Sequence, residues 1–274
     1  MVTLTPLTDS HGHEHAIDHL RRWFPERDDE YWRRGLGRAA KVLPSDRPLG
    51  FMLESKGAVV GILLTFASRR PGPAEWVVNL SSWYLDERAR FAAPGILKRF
   101  VDSGDACTDL TPTPAVEQIS RAVGFEKIAD ATDFLPLPAY ALLPASGASI
   151  LTGEATRTLP DDIRSLVADH ADLGCISFAL RLGEADHAIV VKPVRRRGIA
   201  TGEVVHADRT ALLGGLPVVA RHLLGRGIAV LAVDMMAKDK APTVSIRRPR
   251  PPRLACGPFD PARIDYAYSE FVFF

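Results

Sequence analysis

Cysteine is scarce in this chain. Cys107, Cys175 and Cys256 are far apart in 274 residues and form no CxxC pair, which argues against a disulfide framework and against a thiolate zinc site. A reducing, cytoplasmic setting is the expectation. Charge of one sign is lacking too: Lys and Arg number 34 against 33 Asp and Glu, a formal net charge of +1. Such a chain has no global field for nucleic acid or a membrane surface, so any anion site has to be local. Long apolar runs are also missing, because Arg, Asp or Lys breaks each one before the about 18 residues of a membrane span. The first residues, MVTLTPLTDSHGHEH, show no basic-then-apolar leader.

What the chain does have is the composition of an ordinary globular protein, 46% hydrophobic and 24% charged. Its length suits two domains of roughly 120 to 150 residues. The stretch 136–149, PLPAYALLPASGAS, is rich in proline and small residues and reads as the linker. We therefore expect one domain over 1–140, a linker over 141–152 and a second domain over 153–274.

His11, His13, His15 and His19 cluster near the start, and His15 and His19 share a helix face at i, i+4. No glutamate follows the first of that pair as a zinc-hydrolase helix requires, so solvent-exposed helix histidines are expected and no metal site. Ser10 reads as the helix cap. Ile17, Leu20, Trp23 and Phe24, then Tyr31, Trp32 and Leu36, recur at helical spacing around Pro25, giving two helices with an aromatic face. Residues 49–68 read as a hairpin turning at Lys56-Gly57.

Residues 76–110 organise the first half: an apolar strand, an arginine followed by small residues, an amphipathic helix with Ile96, Leu97 and Phe100 on one face, and a second strand. Arg90, Ala93, Pro94 and Gly95 stand where the helix begins. Small residues let backbone N–H groups approach a pyrophosphate, the helix start adds positive partial charge, and arginine supplies a fork of donors. A further helix, 115–123, follows and Gly124 ends it.

The second half repeats this order loosely. A helix over 160–170 precedes strands over 175–181 and 187–194, a strand over 203–208, a helix over 216–224 and a strand over 228–235. This is a duplication at the level of fold. RRPRPPR, residues 247–253, reads as an exposed basic loop, and IDYAYSEFVFF, residues 264–274, as a closing strand.

In this order of elements the chain resembles the GNAT superfamily of acyl-CoA-dependent N-acyltransferases. Arg90-Phe91-Ala92-Ala93-Pro94-Gly95 is similar to the family's cofactor motif, Arg or Gln, two residues, Gly, one residue, Gly or Ala, with Ala93 in place of the first glycine. SSWYLDE, residues 81–87, is similar to its fourth strand, and AVEQISRAVGFEKI to its helix-Gly-Phe ending. The resemblance implies an α/β (α+β) fold of two GNAT-like domains, each a mixed, mostly antiparallel sheet flanked by helices. It implies that Trp83, Tyr84, Leu85, Arg90, Phe91, Ala92, Ala93, Pro94, Gly95 and Ile96 hold acetyl-CoA or another acyl-CoA.

The implied activity is transfer of an acyl group, acetyl above all, to an amine of a small molecule or peptide by direct attack within a ternary complex. Many relatives have a tyrosine as acid where this chain has Ser120, so Ser120 or Tyr84 is the candidate acid. Glu54 is the candidate base, with Asp109 and Glu117 as further carboxylates in reach. Ser81 and Ser82 could bond an acceptor or face the helices. Arg209 with Gly214 and Gly215 echoes the motif in the second half, but Leu212 stands where a small residue is wanted. Arg197-Gly198-Ile199-Ala200-Thr201-Gly202 fits the pattern yet precedes a strand. The C-terminal half is therefore expected to be a degenerate copy that closes the acceptor side or forms an interface, such as that of a homodimer. A non-catalytic relative that binds acyl-CoA or a protein partner is the alternative reading; nucleic-acid binding through 247–253 ranks below both.

Overall fold

The computed structural model describes residues 2–8, 10–70, 73–145 and 147–274, with backbone only at 10, 11 and 158. The Ser10 cap and the His11 side chain thus fall outside what is described. From the start the chain runs through Thr3–Pro6 (β1), Ser10–Trp23 (α1), Asp29–Val42 (α2), Gly50–Ser55 (β2), Ala58–Arg69 (β3) and Trp76–Leu85 (β4). Next come Ala93–Val101 (α3), Ala106–Asp109 (β5), Pro114–Ala122 (α4), Glu126–Pro136 (β6), Leu137–Ala141 (α5), Ala148–Leu151 (β7) and Asp161–Asp172 (α6). Ile176–Leu182 (β8), Ala185–Arg196 (β9), Ile199–Asp208 (β10), Arg209–Gly214 (α7), Leu216–Leu224 (α8) and Val230–Met235 (β11) follow. The last elements are Ile246–Cys256 (β12), Arg263–Asp265 (β13) and Glu270–Phe273 (α9). Among the described residues no helix is long and apolar enough to cross a membrane.

Two compact units result. The first comprises residues 1–127, 252–259 and 268–274; the second comprises 128–251 and 260–267. The division differs from the 1–140 and 153–274 expected from composition, and strand pairing gives the reason. β6 leaves the first unit and pairs antiparallel with β11, Leu135 opposite Leu231. The end of β12 returns to the first unit and pairs antiparallel with β5, Leu254 opposite Asp109. Residues 137–141 and 148–151 are helix and strand of the second unit rather than a linker.

Each unit then has the same order of pairing. In the first, β1, β2, β3 and β4 are antiparallel neighbours, β4 and β5 are parallel, and β12 closes the series antiparallel to β5. In the second, β7, β8, β9 and β10 are antiparallel, β10 and β11 are parallel, and β6 closes the series. In each unit the strands form a mixed, mostly antiparallel array flanked by helices, as the sequence predicts.

Local chemistry explains the hairpins. Lys56 (φ 52°) and Gly57 (φ 76°) turn β2 into β3, and Arg197 (φ 49°) and Gly198 (φ 82°) turn β9 into β10. Consecutive left-handed residues suit the twist of a tight hairpin. The motif-like 197–202 stretch is therefore a turn and a strand start.

The two C-terminal segments depart from expectation. RRPRPPR lies within β12, where Arg247 donates to Asp133 at 2.7 Å and Arg250 to Asp234, both carboxylates being buried in the second unit. Arg253 is buried in the first unit and donates to the Leu110 carbonyl. Unpaired carboxylates inside a fold would be costly, so these arginines turn inward. IDYAYSEFVFF forms the last two residues of β13 and then α9: Tyr268 is left-handed (φ 50°) and Ser269 caps the helix by accepting from the Phe271 amide. Tertiary packing here overrides the strand propensity of the aromatics. Phe273 meets Phe66 edge-on at 5.0 Å, and Phe274 fills the space left by the missing side chain of Gly35.

Candidate active site

The first unit carries an interruption in β4. Trp83 pairs with Leu63 and Ser81 with Leu64, so Ser82 is an extra residue, with φ 28°. A bulge of this kind bends a strand and sharpens its twist. Its parallel pairing to β5 covers only Val77–Leu80, opposite Ala106–Asp109. Past that point no other strand pairs the outer edge of β4 among the described residues. The two strands diverge from an apex at Leu80 and Asp109.

A cleft of about 330 Å³ occupies the divergence. It is lined by Trp83, Tyr84 and Leu85 of β4, by Arg90 and Ala93 at the start of α3, and by Thr113, Ala115, Val116 and Ile119 at the start of α4. Residues 87–92 form a 3-10 turn that runs directly into α3. Ala92 provides no side-chain cap, Pro94 in the first turn has no N–H, and the Ala93 amide donates to the Arg90 carbonyl. A side chain at Gly95 would meet nothing within 4 Å, so the space beside this turn is open. Arg90 is exposed and lies 3.6 Å from Glu87.

Of the predicted cofactor residues, Trp83, Tyr84, Leu85, Arg90 and Ala93 line the cleft. Phe91 points to solvent, 77% exposed, and Ile96 is packed in the core under α3. Ala92, Pro94 and Gly95 flank the cleft without lining it.

Tyr84 lies on the opposite side of β4 from the α3 core. Its ring stacks on Trp23 of α1 at 4.4 Å and 16°, Trp23 lies 5.1 Å from His19, and His19 meets His15 at 5.0 Å. Burial and then the Asp86 charge raise the Tyr84 pKa, keeping the phenol protonated. His19 is half-buried rather than exposed; burial and then His15 lower its pKa. The other predicted acid, Ser120, is fully buried in α4 and does not line the cleft. Glu54 sits in β2 opposite Thr3 and Val59, also outside the lining. Glu117 lies 3.9 Å from Lys127.

At the apex is a group of polar side chains that sequence reading found only in part. Asn79 donates to Thr108 at 3.1 Å, and Thr111 donates to Glu270 of α9 at 3.2 Å. Asn79 is 0% exposed and Ser81 4%, yet Asn79 Oδ1 and Ser81 Oγ have no hydrogen-bond partner among the described residues. Glu270 Oε2 is likewise sealed from solvent and unpartnered, although the residue as a whole is partly exposed. Burial, then the charge of Glu270, pushes the Asp109 carboxyl up to about 7; burial pushes Glu270 to about 7 as well. The signal for Glu270 in the sequence is a serine before an acidic residue, a helix start, hidden by the aromatic alternation around it.

The second unit shows the same site closed. Val205 is the extra residue of β10, between Val204 opposite Val191 and His206 opposite Val190. An equal stretch of chain separates Ser82 from Pro94 and Val205 from Pro217, so His206, Ala207 and Asp208 correspond to Trp83, Tyr84 and Leu85. β13 pairs with those three residues, His206 opposite Asp265, Ala207 opposite Ile264 and Asp208 opposite Arg263. Tyr266 donates its amide to the Val205 carbonyl, and His206 Nδ1 lies 3.1 Å from Asp265. Where Arg90 would stand, α7 has Leu213, half-buried, and Gly215 packs against Leu180.

No family model and no curated protein matches the sequence. Solved structures do match. A GCN5-related N-acetyltransferase from Anabaena variabilis is similar with a TM-score of 0.58 and 11% identity, over 93% of this chain and 72% of that one. A protein of unknown function from Enterococcus faecalis gives 0.55 and 9%, over 93% and 72%. A candidate acetyltransferase from Pyrococcus horikoshii gives 0.52 and 13%, over 99% and 95%. The chain has the fold of the GCN5-related N-acetyltransferases, the GNAT superfamily, with its strand order built twice.

Proposed function

We propose that the protein moves an acyl group, acetyl in the first instance, from coenzyme A to an amine, using the first unit. One observation carries this reading: the β4 edge beyond its bulge is left free beside an uncapped helix start and an arginine, while the equivalent edge of the second unit is taken by β13.

Backbone groups of residues 83–85 would bond the amide-bearing arm of coenzyme A. Arg90 and the first-turn amides of α3 would hold its pyrophosphate. Coenzyme A supplies an activated thioester, and the protein's part is to position it against the amine and move protons. Tyr84 is the proton donor to the departing sulfur, since its phenol faces the cleft protonated and Ser120 does not reach it. That displacement of the usual acid is also what favours the second reading, a protein that binds acyl-CoA without turnover.

Calorimetric titration with acetyl-CoA, followed by thiol release across a panel of amines, tests both. Binding lost in Arg90→Ala together with thiol release supports the transferase; binding without release from any amine leaves the non-catalytic reading; no binding at all rejects the acyl-CoA site.

A further inference from the structure

We propose that Glu270, carried into the first unit by the last helix of the chain, is the group that takes the proton from the acceptor amine. The assignment rests on the transferase reading above and adds the residue on which its base chemistry turns.

The geometry comes from the divergence of β4 and β5. Anything laid along the free edge of residues 83–85 from the start of α3 runs toward the apex, where pairing resumes at Leu80 and Asp109. The groups gathered there are nearly all acceptors: Ser81 Oγ and Asn79 Oδ1 from β4, Asp109 from β5 and Glu270 from α9. Three of these oxygens are buried and unpartnered, on Asn79, Ser81 and Glu270. Buried acceptors left without donors are rare and costly. An ammonium group, with three donors and a positive charge, satisfies such a set.

Glu270 is the member suited to receive the proton. Thr111 donates to its Oε1, Oε2 is sealed from solvent, and Asn79 lies within hydrogen-bonding reach of the carboxylate. The titratable groups facing it are Asp109 of β5 and Tyr31 of α2, and Arg38 of α2 packs on α9, donating to the Phe273 carbonyl at 3.5 Å. Arg253 of β12 directs its guanidinium to the Leu110 carbonyl and over the Phe271 ring. A carboxyl so placed, pushed up to about 7 by burial, exchanges its proton near neutrality.

The step balances as follows. An N–H bond of the ammonium breaks and its proton passes to Glu270 Oε2. The freed nitrogen lone pair forms the bond to the acyl carbon, and the C–S bond breaks with its electron pair left on sulfur. The second proton of the nitrogen passes to that sulfur by way of Tyr84, and Glu270 returns its proton to solvent.

The test is steady-state thiol release from acetyl-CoA between pH 5.5 and 9, with calorimetric acetyl-CoA affinity measured in parallel. Wild type should show kcat rising through a pH of about 7. In Glu270→Gln, kcat should fall by about a hundredfold or more, the acid limb should vanish and acetyl-CoA affinity should stay within about twofold. Glu270→Asp should recover part of the rate. A Glu270→Gln protein with wild-type rate and acid limb overturns the assignment, as does a limb that disappears only in Asp109→Asn. Wild type that binds acetyl-CoA yet releases no thiol with any amine overturns the transferase reading, and this one with it. Wild type that turns over while Glu270→Gln is unaffected overturns only this one.

Discussion

Cys107 of β5 and Cys256 of β12 stand directly opposite one another in an antiparallel pair, so that their buried side chains are cross-strand neighbours. The contact raises the Cys107 pKa, helped by burial, and lowers that of Cys256. Mild oxidation with diamide should therefore join these two and leave Cys175 reducible on its own, since the Cys256 thiolate forms first. The bond would close a loop spanning more than half the chain and raise the melting temperature by several degrees. Non-reducing peptide mapping checks the pairing, and a map showing only Cys175 adducts would refute it.

One acetyl-CoA should bind per chain. Arg209 stands just after the closed edge of β10, where it donates to the Pro261 carbonyl at 2.9 Å. Arg209→Ala should leave acetyl-CoA affinity unchanged, whereas Arg90→Ala should weaken it about tenfold. Calorimetry gives both numbers, and a stoichiometry of two would contradict the closure by β13.

Removing the Tyr84 hydroxyl alone separates stacking from proton donation. Tyr84→Phe keeps the ring on Trp23, so acetyl-CoA affinity and folding should hold while kcat drops about ten- to a hundredfold. Trp23→Ala should instead cost stability, by about 3 kcal/mol or less for a half-buried ring. Unchanged kcat in Tyr84→Phe would remove Tyr84 from the chemistry.

The Asp109 carboxyl ties stability to pH with a definite sign. Its folded pKa of about 7 lies above its ordinary 3.8, so the folded state holds the proton more tightly than the unfolded one. The stabilising contribution is full below about pH 4 and is lost as pH rises through about 7. Asp109→Asn should accordingly gain on wild type by about 1–2 kcal/mol between pH 5 and pH 8, the figure reduced for coupling to Glu270. Urea denaturation at both pH values measures it, and equal differences at the two would contradict the shift.

Much of the fold was legible because its signals are local. The Lys56-Gly57 turn, the helix from Leu216 to Leu224 and the aromatic faces of α1 and α2 appear where residue period and turn chemistry place them. The cleft was legible in part for the same reason: a strand, an arginine and a helix start are contiguous, and Trp83, Tyr84, Leu85, Arg90 and Ala93 do converge. Ser120 and Glu54 were chosen by their place in the chain, and packing turns them away.

The sequence by itself determined the elements, their order and the duplication, since each depends on neighbours within a turn or a hairpin. Only the tertiary structure decided which strand completes which sheet, and so that β6 and β12 exchange units, that Cys256 meets Cys107, that β13 takes the edge of β10 and that Glu270 meets Thr111. Those outcomes depend on pairings between residues more than ninety positions apart or on short segments with little propensity of their own. For such segments burial and partner strands, rather than local preference, choose the conformation.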